Sequence, residues 1–220
     1  MQPYIKHPGP LFRFHSRHNI TRRTIPPQRL RRQARIIGIV LAGGLSRRMG
    51  QDKAMLPLGG QNILARTVSL LQDVCSRAIV VGRQTPGYAC LPDIVPECGP
   101  VGGIATALDY CQGAACLVLS CDMPFIHSEV LERLIAYRNA RAAGMHVTAY
   151  KNAASGKVES FEAIYEPDCL PYFTICMNEL LLKINRVVPF YHYHFFHHAE
   201  HEAQPFFYLN TPSSYDKTRA

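Results

Sequence analysis

No apolar run in the 220-residue sequence approaches the roughly 18 residues that a membrane-spanning helix needs. The longest, Ile36 to Leu45, stops at Ser46. The same shortage of long apolar stretches leaves no secretory h-region. No CxxC pair occurs among the eight cysteines, Cys75, Cys90, Cys98, Cys111, Cys116, Cys121, Cys169 and Cys176. Eight are few for this length and several fall in predicted buried elements, where a free thiol behaves as a small hydrophobe, so a reducing cytoplasm is the simplest setting. Neither GxxxxGK[ST] nor GxGxxG is present, which removes the Walker loop and the dinucleotide fingerprint. No Ser/His/Asp machinery is evident either. Acids are absent from residues 1–35, which hold nine of the 24 Lys and Arg, so the remaining 15 basic residues face 16 acids. The net charge of +8 thus belongs to the tail, and the near-neutral remainder argues against a nucleic-acid partner for the folded part.

That tail contains Pro3, Pro8, Pro10, Pro26 and Pro27 and little apolar periodicity, so residues 1–35 read as a basic, disordered segment. It suits an RNA-binding or anionic-surface arm, an Arg-rich targeting peptide, or sequence upstream of a later translation start. Residues 36–220 read as one soluble domain, with 47% hydrophobic and 18% charged residues over the whole chain.

What is present is concentrated in residues 36–53, IIGIVLAGGLSRRMGQDK. Ile36 to Leu41 suits a strand buried on both faces. Ala42, Gly43 and Gly44 then let the backbone turn and bring N–H donors near a ligand oxygen. Arg47, Arg48 and Lys53 follow, with Asp52 the only nearby acid. An ordinary turn with a solvated basic face is the plain alternative.

Downstream, Asn62 is placed to cap a helix reaching about Cys75, since Ile63, Leu64, Val68, Leu71 and Val74 recur at helical spacing. Ala78–Val81 and Asp93–Val95 read as strands. Residues 98–104 form a second glycine-rich turn that opens a helix. Ala115–Cys121 is the clearest central strand, and it delivers Asp122 at its carboxyl end, where open α/β sheets bind ligands. Ser128 is placed to cap a helix; 146–150 and 161–165 read as strands, 179–184 as a helix and 187–193 as a strand. The alternation predicts an α/β, doubly wound, mostly parallel sheet. His192, His194, His197, His198 and His201 fall in a small C-terminal hairpin region, where their spacing permits a metal and the interleaved aromatics favour packing.

The string Leu-Ala-Gly-Gly-x-Ser-x-Arg-Met-Gly-x-Asp-Lys resembles the signature of nucleotidyltransferases and is most similar to that of the molybdenum cofactor guanylyltransferases. Gly99-Pro100-Val101-Gly102-Gly103, Cys121-Asp122-Met123-Pro124 and Asn210-Thr211-Pro212 extend the likeness over residues 36 to about 218. The resemblance implies a Rossmann-like nucleotidyltransferase fold and Mg²⁺-dependent transfer of GMP from GTP to molybdopterin. It implies Arg48 and Lys53 on the leaving phosphates, Gly43 and Gly44 on the nucleotide, Leu41 and Ala42 at the base, and Asp122 as the Mg²⁺ ligand. Glu97 stands where the family has a nucleotide-binding Asp, and Gly82 where it has an Asn. Ser160 and Phe161 also depart from the family pattern, in a segment that approaches the acceptor side in the family, and Tyr208 stands where its terminal motif has an Asn. Molybdoenzyme-maturation proteins are the implied partners. A cytidylyltransferase, a sugar-phosphate nucleotidyltransferase and an inactive cofactor-binding relative are the alternatives.

Overall fold

Short apolar runs alternate with amphipathic stretches from residue 36 onward, and the period of each selects strand or helix. The computed structural model describes residues 35–43, 52–95, 97–209 and 215. Its strands are Ile36–Leu41 (β1), Pro57–Leu58 (β2), Gln61–Asn62 (β3), Ala78–Val81 (β4), Cys90–Leu91 (β5), Ala115–Ser120 (β6), Val147–Asn152 (β7), Val158–Tyr165 (β8) and Tyr193–His198 (β9). The α-helices are Ile63–Val74 (α1), Gly99–Cys111 (α2), Ser128–Asn139 (α3) and Leu170–Asn178 (α4). No helix among the described residues is long and apolar enough to cross a membrane.

Seven strands form one sheet in the order β5-β4-β1-β6-β8-β7-β9. β8 runs against both its neighbours, and every other pairing in this sheet is parallel. The carboxyl ends of β1, β4, β6, β7 and β9 therefore share one edge of the sheet. The chain runs outward from β1 through β4 to β5, then returns to β6 on the other side of β1. That reversal opens a crevice at the carboxyl edge.

Successive side chains of β1 and β6 point to opposite faces and feed two cores. Ile37, Ile39, Cys116 and Val118 pack with α2 and α4, while Ile36, Val40, Leu117 and Leu119 pack with α1 and α3. Burial on both faces explains the nearly unbroken apolar runs. Asn62 Oδ1 accepts from the Ala65 N–H at 2.7 Å and starts α1 as its sequence position predicts. Arg138 of α3 is clipped to the end of β8 by a two-pronged bond, with Nε and Nη2 each 2.7 Å from a Glu166 oxygen. All eight cysteines are free thiols, and Cys98, Cys111, Cys116, Cys121, Cys169 and Cys176 are buried.

Several expectations are corrected. The third strand is Cys90–Leu91 rather than 93–95, because Pro92 lacks the N–H that would continue the ladder. The glycines after Cys98 lie inside α2, whose first turn begins at Gly99. His127, not Ser128, is the N-cap of α3. The helix expected at 179–184 is instead α4, which ends before it. Leu180 adopts φ 55°, and the Leu181 N–H donates to Cys176 O at 2.8 Å, the reversal that terminates a helix. The strand expected at 187–193 starts at Tyr193, after a 3₁₀ turn at Phe190–His192 that follows Pro189. The C-terminal region is not a hairpin: β9 joins the sheet edge parallel to β7.

Candidate active site

A cleft of about 590 Å³ lies at the carboxyl edge, with Leu41, Gly43, Val81, Asp93, Asp122 and Phe161 among its walls. Its depth depends on glycine. A Cβ on Gly82, where φ is 88°, would lie 2.6 Å from Gly43 Cα and 2.8 Å from Gly43 N, so the ends of β1 and β4 approach too closely for any side chain there. A Cβ on Gly103 would lie 2.9 Å from Leu41 Cδ2, which brings the start of α2 over the same spot.

The contact between Gly43 and Gly82 also changes what Gly43 can do. The N–H groups of Ala42 and Gly43 both donate to Val81 O, at 3.0 and 3.2 Å. They hold the strand ends together and are not turned toward a phosphate. The Ala42 side chain packs with the core on the α1 and α3 face, because it alternates with Leu41, whose side chain faces the cleft. Gly44 and Arg48, like Arg47, lie outside the described residues.

Asp122 lies two residues past the end of β6 and is fixed from three directions. Leu209 N–H donates to its carbonyl at 2.7 Å, and Arg66 of α1 holds the turn beyond it through Pro124 O and Ile126 O at 3.3 and 2.8 Å. Lys53 Nζ stands 3.9 Å from Asp122 Oδ2. Asp122 Oδ1 is buried with no hydrogen-bond partner among the described residues. Lys53 is itself positioned by its neighbour. Asp52 accepts from the Ala54 N–H at 3.2 Å and forms a bidentate pair with Arg83 at 3.0 and 2.6 Å. The Arg83 hydrogen bonds hold the Asp52 carboxyl below its usual range.

Asp93 is the residue that the sequence reading missed. Its Oδ1 is buried with no hydrogen-bond partner among the described residues, and its Oδ2 lies 3.2 Å from where a Cβ on either Gly43 or Gly82 would stand. Burial pushes its carboxyl above the ordinary range. Thr106 steadies the segment, since its Oγ1 accepts from the Ile94 N–H at 3.1 Å and donates to Gly102 O at 2.8 Å. Glu97 also lines the cleft, but on its exposed rim and with φ 66°. The signal for Asp93 was an acid between Pro92 and Pro96, where a strand could not continue.

The histidines do not converge. His192 stacks on His146 at 4.2 Å, His194 on Tyr137 at 4.0 Å, and His198 packs on Phe206. Among the described residues no three His, Cys, Asp or Glu side chains are grouped to hold a metal. His192, His194 and His198 are packing residues of an aromatic sheet edge, while His197 and His201 are exposed.

A switched, mostly parallel sheet with a lysine and a carboxylate at its carboxyl edge defines a nucleotide-binding α/β transferase. The sequence profile of the MobA-like NTP transferase domain matches residues 38–206, and the chain belongs to that family of nucleotidyltransferases. A protein of Pelotomaculum thermopropionicum named a probable molybdenum cofactor guanylyltransferase is 30% identical over 192 residues, covering 83% of this chain and 91% of that one. One of the same name from Carboxydothermus hydrogenoformans is 35% identical over 157 residues, 69% of this chain and 75% of the relative. Among solved structures, molybdopterin-guanine dinucleotide biosynthesis protein A from Archaeoglobus fulgidus superposes with a TM-score of 0.67 at 23% identity, covering 83% of this chain and 96% of that one, a likeness of fold.

Proposed function

We propose that this chain transfers GMP from GTP to the phosphate of molybdopterin, forming the guanine dinucleotide and pyrophosphate. The observation that carries the reading is the Lys53 ammonium 3.9 Å from the Asp122 carboxylate at the carboxyl edge of β6, beside a cleft large enough for a nucleotide. The acceptor phosphate is already ionised. Its oxygen forms the new bond to the α-phosphorus as the bond to the bridging oxygen of pyrophosphate breaks, and no protein base is required. The protein's task is positioning and charge neutralisation.

The nucleoside lies against Leu41, with Asp93 as a buried acceptor for its hydroxyl or ring N–H donors. Lys53, with Arg48, meets the charge that accumulates on pyrophosphate. The unpartnered Oδ1 of Asp122 is an oxygen donor suited to Mg²⁺, which takes few protein ligands and fills its shell with phosphate oxygens and water. When bound, the ion supplies further charge neutralisation at the phosphates. Glu97, on the rim of the cleft, contacts the nucleotide from outside. The eight thiols, all free, suit a reducing cytoplasm.

The test is pyrophosphate release by the full chain with each of the four nucleoside triphosphates, with and without molybdopterin. Release that requires both GTP and molybdopterin, with the dinucleotide as product, is the expected result. Equal release with CTP, or none with any triphosphate, would overturn the reading.

A further inference from the structure

We propose that Phe161 is the platform on which the fused heteroaromatic ring of the acceptor stacks, and that the irregularity in β8 presents it. The proposal rests on the transfer reading above and names what the acceptor side recognises.

The ladder between β7 and β8 pairs Ala149 with Ala163 and then Tyr150 with Glu159, so residues 160–162 have no partners on β7. Bulges beside active sites re-aim side chains. Here Ser160 and Glu162 turn inward, at 5% and 0% exposure, while Phe161 between them faces the cleft that Asp122 also lines.

The bulge is held from two sides. Tyr165 Oη donates to Ser160 O at 2.8 Å. Tyr208 Oη lies 3.0 Å from Glu159 Oε2 and 3.1 Å from Glu162 Oε2, and its ring stands edge-on to Phe161 at 6.4 Å. Lys157 pairs with Glu159 at 2.9 Å and covers the Tyr208 ring at 4.8 Å. The residue after Tyr208 is Leu209, whose N–H holds the Asp122 carbonyl. The platform and the transfer centre are therefore one mechanical unit. Burying two acidic side chains costs stability that a plain strand would not lose, and what the arrangement fixes is the direction of Phe161.

Strand order assigns the side. Leu41 and Asp93 belong to the β1 and β4 side of the cleft, Asp122 follows β6, and Phe161 stands on β8 beyond it. In-line displacement at phosphorus places the nucleophile opposite the leaving group. With the nucleoside on the β1 side, the approach that the described residues leave open for a ring-bearing phosphate is over β8. A phenyl ring accepts any planar heteroaromatic by stacking, and removing such a ring typically weakens binding by about tenfold or more.

The experiment uses the full chain as wild type, Phe161→Ala, Phe161→Leu and Phe161→Tyr. The probe is a pterin monophosphate, followed by its own emission, which the absence of tryptophan leaves little obscured. Calorimetry with GTP and Mg²⁺ is run in parallel. The expected result is about tenfold weaker pterin binding in Phe161→Ala, a smaller loss in Phe161→Leu, near-wild-type binding in Phe161→Tyr, and GTP affinity within about twofold throughout. If the alanine variant fails to fold by its thermal melt, the leucine and tyrosine variants decide. Unchanged pterin binding, or a loss confined to GTP, would overturn the platform. Wild-type protein that binds the pterin phosphate but forms no dinucleotide would instead overturn the transfer reading alone. Dinucleotide formation by Phe161→Ala with an unchanged acceptor KM would overturn the platform alone.

Discussion

Replacing Gly82 by alanine puts a Cβ 2.6 Å from Gly43 Cα on a backbone with φ 88°. A side chain in that region costs on the order of 1–3 kcal/mol, and relief must come from parting the ends of β1 and β4. Gly82→Ala is expected to lower stability by about that amount in urea titrations and to weaken GTP binding, because the wall carrying Asp93 moves with it. Asp122→Asn preserves volume while removing the charge that would hold Mg²⁺. It should fold like wild type and lose most turnover at ordinary Mg²⁺, and near-normal rates would remove Asp122 from that role. Lys53→Ala should slow single-turnover transfer at saturating GTP by about 100- to 1,000-fold, the usual effect of deleting one charge-stabilising contact. Lys53→Arg should recover only part, since a planar fork does not occupy an ammonium's position. The position of Asp122 was legible in the sequence because it is local, an acid just past a strand end, whereas the roles expected of Lys53 and Asp122 rest on the resemblance to the guanylyltransferases. Asp93 was not, because its apolar neighbours Ile94 and Val95 read as a strand.

β8 is the element where sequence reading gave least. The sequence shows only its second part, 161–165, while the start at Val158, the three unpaired residues at 160–162 and the buried acids among them depend on contacts with β7 and with Tyr208, far along the chain. α4 was likewise hidden, since LPYFTICMN mixes aromatic and β-branched residues and its end is set by one left-handed leucine. Glu162 yields a prediction for the element. Burial, then the charge of Glu159, raises its carboxyl well above the ordinary range, with the Tyr208 hydroxyl opposing. Above about pH 4.5 the unfolded chain has released this proton while the native state keeps it, so stability falls as pH rises toward the native value. Glu162→Gln should flatten that decline in urea denaturation across pH, and an unchanged slope would show that another group carries it. The α3 clip is simpler. Arg138→Met leaves Glu166 buried with Arg141, 3.1 Å away at the surface side, as its one ion-pair partner among the described residues, and should cost about 3–5 kcal/mol.

Across the whole molecule, charge and chemistry are separated. Residues 1–33 hold eight of the 24 basic residues and no acid, so their removal takes the net charge from +8 to zero while leaving every described cleft residue in place. We expect GTP turnover within a few-fold of the full chain and loss of retention on a heparin column, because the electrostatic footprint leaves with the tail. A collapse in activity would show that the segment contributes to the folded part. The distribution of thiols offers a different use. Burial pushes the Cys121 thiol up to about 12, so it reacts only when its surroundings open. Cys98 and Cys121 lie beside the cleft, just before α2 and just after β6, whereas Cys169 follows β8, whose carboxyl end is at the opposite edge of the sheet, and Cys176 lies in α4 beyond it. Alkylation followed by peptide mass spectrometry would thus read local opening at two distances from the site without any introduced label. Nucleotide should slow modification of the first pair more than the second, giving the chain a built-in gauge of how far ligand binding stiffens it.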